Sequence, residues 1–218
     1  MMTKTTMRTL ALLTGVVAAM PILAPAAAAQ DAAISRLPSV TEKPSDPATA
    51  ATFDVIRSRG GQIINLHLTL GHGGKIYQAR QMLTYALRFD AVTSRRIREL
   101  TIMRVAQMTD SHYEWAQHLP IARACGYTQA QLDGLAKWEQ PGLFDEKDRA
   151  VLAFVSQTIG RNGNVEDAVF TELARLYTPR EIIELAVTAT QYVTTGLLTR
   201  SLQIKPETDG RSAAPPKC

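Results

Sequence analysis

No Cys-x-x-Cys pair occurs in this chain of 218 residues, and its two cysteines are Cys125 and Cys218. That excludes a disulfide framework, and it excludes dithiol exchange, which needs two neighbouring thiols. The two cysteines could pair with each other, although Cys218 is the last residue of a Ser-Ala-Ala-Pro-Pro-Lys tail. No Lys/Arg block occurs, so nucleic acid is not an expected partner. No His-Glu-x-x-His and no cysteine ligand set occur, so no metal is expected. Gly71-His-Gly-Gly74 has neither a preceding strand nor a following lysine, which excludes a phosphate-cradling loop, and no cofactor is expected. After Leu23 no apolar stretch is long enough to cross a bilayer. No strand pattern is convincing and no βαβ unit can be built.

What remains is ordinary globular composition, 45% hydrophobic, 20% charged and 6% aromatic. Such a length can bury one sizeable core or two small ones. The start stands apart. Lys4 and Arg8 precede an apolar run from Leu10 to Leu23, and Ala24 to Ala29 follow with Pro25 among them. A basic start, a short apolar run and small residues before Gln30 predict a signal peptide over 1–29, cut near Ala28 or Ala29. The expected location is therefore periplasmic or secreted, with no membrane contact after cleavage. Losing Lys4 and Arg8 takes the formal charge from +4 to +2, a mild excess.

Residues 30–46 are polar, with Pro38 and Pro44, and predict a flexible lead-in. A single helical domain is expected over 47–204 and a disordered tail over 205–218. Asp46-Pro47, Ser94, Thr128, Asp145 and Thr178-Pro179 are helix-start signals. Gln62 to Gly71 alternates like a strand, but an unpaired strand is not stable, so a short helix is expected there. Together the periodicities predict an all-α fold of about eight helices.

The densest chemistry lies between Arg98 and Gly126. Glu99 falls on the same helical face as Ile102 and Met103, where a carboxylate is costly unless paired or protonated. Pairing with Arg95 or Arg104 would make it purely structural. Glu114 and His118 are one turn apart and can reach each other or a shared ligand. A carboxylate beside an imidazole is a usable acid–base couple. Against that, Ser111-x-x-Glu114 is also a capping-box pattern, and His118 could be a satisfied core histidine. Pro120 should kink the helix beside His118.

Arg98-Glu-Leu-Thr-Ile, Tyr113-Glu-Trp-Ala-Gln-His118 and Ala124-Cys-Gly126 resemble the carboxymuconolactone decarboxylase family and its alkylhydroperoxidase D-like relatives. The likeness extends from about Phe53 to Leu202. It implies an alkylhydroperoxidase D-like helical bundle and a homo-oligomer, a trimer or hexamer. In the peroxidase branch two cysteines precede the histidine; here Ser111 and Glu114 stand at those positions. The resemblance therefore implies cofactor-free decarboxylation of a small lactone or carboxylic acid. His118, Glu114 and Glu99 are the expected catalytic groups. Arg98, Trp115 and Tyr113 are the expected substrate contacts, with Arg104 a second candidate cation. A peroxiredoxin-like redox protein and a non-catalytic binding protein are the alternatives.

Overall fold

The computed structural model describes residues 33–212 and Cys218. Among the described residues are nine α-helices and no strand. They are α1 (Pro47–Ser58), α2 (Asn65–Leu70), α3 (Lys75–Tyr85), α4 (Arg95–Met108), α5 (His112–Ala124), α6 (Gln129–Asp133), α7 (Glu146–Gly160), α8 (Asp167–Leu176) and α9 (Pro179–Ser201). The start signals act as expected. Asp46, Ser94, Ser111 and Asp145 each accept a first-turn backbone N–H, and Thr128 and Thr178 form complete capping boxes. The stretch with strand-like alternation folds as α2.

Helix α4 is the centre and packs against α5, α7 and α9. Ile97, Ile102 and Val105 join α7, α8 and α9 through Val151, Val155, Leu173 and Leu185. Leu100 and Met103 join a second group with Ala122, Leu132, Leu135 and Leu152. Each of these large side chains contributes about 1.5–3 kcal/mol by leaving water. Because α4 is covered on most sides, its charged residues are also drawn inside: Arg98 and Glu99 are both buried. A third group, with Phe53, Ile56, Tyr77 and Tyr85, packs α1 against α3.

One local feature matters for the site. The regular turns of α3 end at Tyr85, and Ala86–Asp90 form a wider π turn. Arg98 holds this turn by donating to the carbonyls of Thr93 and Arg88.

The described parts of the lead-in and the tail are pinned rather than free. Arg36 N–H donates to Leu202 O, Val40 N–H to Leu68 O and Lys205 N–H to Ile34 O. Glu207 accepts from Asn65 N–H, the Tyr113 hydroxyl and Gln117. Cys125 and Cys218 are joined by a disulfide. Backbone and carboxylate bonds thus tie Lys205 and Glu207 to the rest of the fold. The expected signal peptide lies outside the described residues. No helix among those described is long and apolar enough to cross a membrane.

Candidate active site

Helices α4 and α5 face each other so that Glu99, His118 and Glu114 form one line. His118 Nδ1 lies 2.7 Å from Glu99 Oε2, and Nε2 lies 3.6 Å from Glu114 Oε2. All three side chains are buried, Glu99 at 0% exposure. The structural pairing is present as well, since Arg95, one turn before Glu99, approaches Oε1 to 2.7 Å, but it leaves Oε2 to His118. That N–H is not aligned on the oxygen, so Oε1 gains a charge contact without a hydrogen bond. The Tyr192 ring meets the His118 imidazole edge-on at 5.0 Å and fixes its plane.

The capping-box alternative for Glu114 fails. Ser111 Oγ accepts from Glu114 N–H, but Ser111 N–H donates to Ala106 O, so the Glu114 carboxylate is not used at the helix start. It points along the helix to His118 instead.

The two carboxyls are shifted in opposite directions. Burial raises the Glu99 carboxyl, but His118, Arg95 and Arg88 together outweigh it and the group stays below its usual range. Burial dominates at Glu114, reinforced by Glu99, and raises its carboxyl despite His118 and Arg80. Two carboxylates pushed apart around one imidazole is the arrangement from which acid and base roles are assigned. With Glu99 ionised, Nδ1 donates to it, and Nε2 faces a carboxyl that favours its protonated form. This tautomer is assigned from the partner.

A cavity of about 40 Å³ opens beside His118 and Glu114. Leu66 and His67 of α2, Arg80 of α3, Arg88 of the π turn, Tyr113 of α5 and Gln191 of α9 help line it. Burial, with Arg80 and Arg88 next in effect, lowers His67 to about 3, so it is neutral and accepts from the Tyr77 hydroxyl at 2.9 Å.

Of the expected substrate contacts, only Tyr113 lines the cavity, and its hydroxyl is already shared between Leu66 N–H and Glu207. Arg98 does not line it, because its guanidinium is spent on Thr93 and the π turn. Trp115 packs against the α4–α7 core group. Arg104 is bound to Ser156, Gln107 and Leu135 O. Cys125 is nearly buried and disulfide-bonded, so α5 carries no thiol. The sequence reading missed Arg80, Arg88 and His67 as lining residues.

Residues 75–157 match the model of the carboxymuconolactone decarboxylase family, and this span holds Glu99, Glu114 and His118. No curated protein matches the chain. Several solved structures do. The alkylhydroperoxidase AhpD core of an uncharacterized peroxidase-related protein from Ralstonia eutropha superposes with a TM-score of 0.68 at 20% identity, over 81% of this chain and 94% of its own. An uncharacterized peroxidase-related protein from Silicibacter sp. gives 0.65 at 17% identity, over 80% of this chain and 95% of its own. The debrominase Bmp8 gives 0.66 at 16% identity, over 82% and 94%. At such identities the likeness establishes an alkylhydroperoxidase D-like fold.

Proposed function

From a chain whose residues 75–157 match the model of the carboxymuconolactone decarboxylase family, we propose a cofactor-free, decarboxylase-like enzyme that moves protons on a small lactone or carboxylic acid. The observation that carries this reading is the buried line Glu99–His118–Glu114, with its carboxyls shifted in opposite directions.

The roles follow from that line. Glu99 stays ionised, orients the ring and stabilises positive charge on it. His118 Nε2 and the Glu114 carboxyl share the proton that is delivered. In the substrate the bond to the departing carboxylate carbon breaks, and carbon dioxide leaves. The bond's electron pair enters the conjugated lactone carbonyl. The dienolate then takes one proton at carbon from the His118–Glu114 pair, which is replenished from water. The 3.6 Å gap between Nε2 and Oε2 is too long for a hydrogen bond.

A thiol-peroxidase reading lacks support in this chain. Peroxide reduction needs a thiolate and a resolving thiol. Ser111 and Glu114 occupy those positions, Ser111 bonding Thr199 and its own helix start. The basic and apolar start over 1–29 supports a protein that works outside the cytoplasm, on a substrate found there.

The test is carbon dioxide release from a panel of lactone acids and small keto acids. The expected outcome is turnover in the wild type that falls about 10²–10⁴-fold in His118→Ala, the usual worth of a positioned acid–base group. Cys125→Ser should keep that turnover. Loss of activity in Cys125→Ser with retention in His118→Ala would instead favour redox chemistry.

A further inference from the structure

We propose that Arg80 and Arg88 form a carboxylate clamp at the cavity, a binding site for a small organic acid beside His118. As a substrate site it rests on the acid–base reading above; as an anion site it stands on its own geometry.

The cost of the two arginines is the starting point. Among the described residues no carboxylate lies within ion-pair distance of either. Arg80 donates once, to Thr195 Oγ1 at 2.6 Å. The Arg88 guanidinium makes no hydrogen bond to a described protein group, although the backbone carbonyl of Arg88 is held by Arg98. Burial lowers both guanidinium groups from their usual range. A shielded cation without a counter-ion is expensive, and a fold retains it where something else supplies the charge.

The carboxylates nearby do not supply it. Glu99 is committed to His118 and Arg95. Burial raises the Glu114 carboxyl and so disfavours its charge. If Glu114 and His118 share one proton between them, their joint charge is zero whichever holds it. The neighbourhood then has three guanidinium groups against one full carboxylate.

The unpartnered atoms at the cavity also ask for one kind of ligand. Four buried polar atoms of lining residues have no protein partner: Arg80 Nε, Arg88 Nε, Gln191 Nε2 and Glu114 Oε1. The first three are donors. The fourth becomes a donor when Glu114 is protonated. A ligand that only accepts hydrogen bonds satisfies all four, and a carboxylate is such a group, with two oxygens matched to a guanidinium fork. The cavity of about 40 Å³ has room for roughly three water-sized spheres, which suits a carboxylate head. A bound carboxylate would place the adjoining carbon beside His118 and Glu114.

Titration calorimetry on the full chain tests this, using succinate and acetate as probes and succinamide as the neutral control. The wild type should bind the acids and not the amide. Arg88→Met should weaken acid binding at least about tenfold, the worth of one charge-assisted bond. If Arg88→Met fails to fold by circular dichroism, Arg80→Met serves in its place, with the same expected loss. Succinamide binding as tightly as succinate, unchanged affinity in the arginine variant, or no acid binding to the wild type would each overturn the clamp. Acid binding that follows the arginines while no panel compound turns over would keep the clamp and defeat the acid–base reading. Turnover that depends on His118 but ignores Arg88 would do the reverse.

Discussion

Glu114 is held inside the fold at the expense of stability. It is buried, its Oε1 has no partner, and its carboxyl is raised by that burial. Between the ordinary carboxyl value and the raised one, the unfolded chain releases its proton more readily than the folded one. Stability contributed by the neutral group is therefore lost as pH rises through that window. Glu114→Gln keeps the shape and cannot ionise. It should raise stability at neutral pH by about 1 kcal/mol while abolishing proton delivery, a trade seen at many active sites. Thermal melting alongside carbon dioxide release checks both halves; an unchanged or lowered melting temperature would contradict the burial argument.

His67 acts in the opposite pH range. Its usual value of 6.5 falls to about 3 in the fold. Below pH 6.5 the unfolded chain takes up a proton that the folded one refuses. Stability should therefore drop as pH falls from about 6.5 towards 3, by up to about 1.4 kcal/mol per pH unit. His67→Gln should flatten that slope between about pH 6.5 and 4.5 in urea titrations. Below that range the lowered carboxyl of Glu99 adds a fall of the same sign.

At this scale the sequence was uneven as a guide. Glu99, Glu114 and His118 could be found because i, i+3 and i+4 spacing puts them on faces with apolar neighbours. Arg80 and Arg88 could not. Helix α3 turns Ile76, Met82 and Leu83 outward and buries Tyr77, Gln81 and Tyr85. A hydrophobic-face argument therefore aims the wrong side of α3 at the core. Arg98 misled for a related reason, since nothing local reveals that a π turn needs its donors.

Helix α9 positions the far wall of the site through a close approach. A Cβ built on Gly196 would meet Thr109 Oγ1 at 2.6 Å and Ser111 Cβ at 3.3 Å. Only glycine lets α9 settle against the α4–α5 junction, which sets Tyr192 against His118 and Thr195 against Arg80. Gly196→Ala should cost about 1–3 kcal/mol by overpacking and should lower turnover as well, because both contacts lie within about one helical turn of the shift. A melting curve like that of the wild type would contradict this packing account. The starts of most helices were legible because caps and N-terminal prolines are local chemistry. The hold on the tail was not, because Glu207 finds Asn65, Tyr113 and Gln117 only after the chain has folded back.

For the whole molecule, the helical class followed from periodicity and turn residues, and it agrees with the alkylhydroperoxidase D-like relatives. Peroxidase-related proteins and a debrominase share this fold, so activity lies in the site rather than in the fold. Here the site has an imidazole between two unlike carboxyls and no thiol on its helix. On the proposed reaction, a proton from solvent ends on carbon. The most direct measurement is proton NMR of the lactone-acid and keto-acid panel turned over in D₂O. The account predicts one deuteron at carbon in the product for each carbon dioxide released, with both absent in His118→Asn. Product formed by His118→Asn at the wild-type rate, or formed without deuterium, would contradict it.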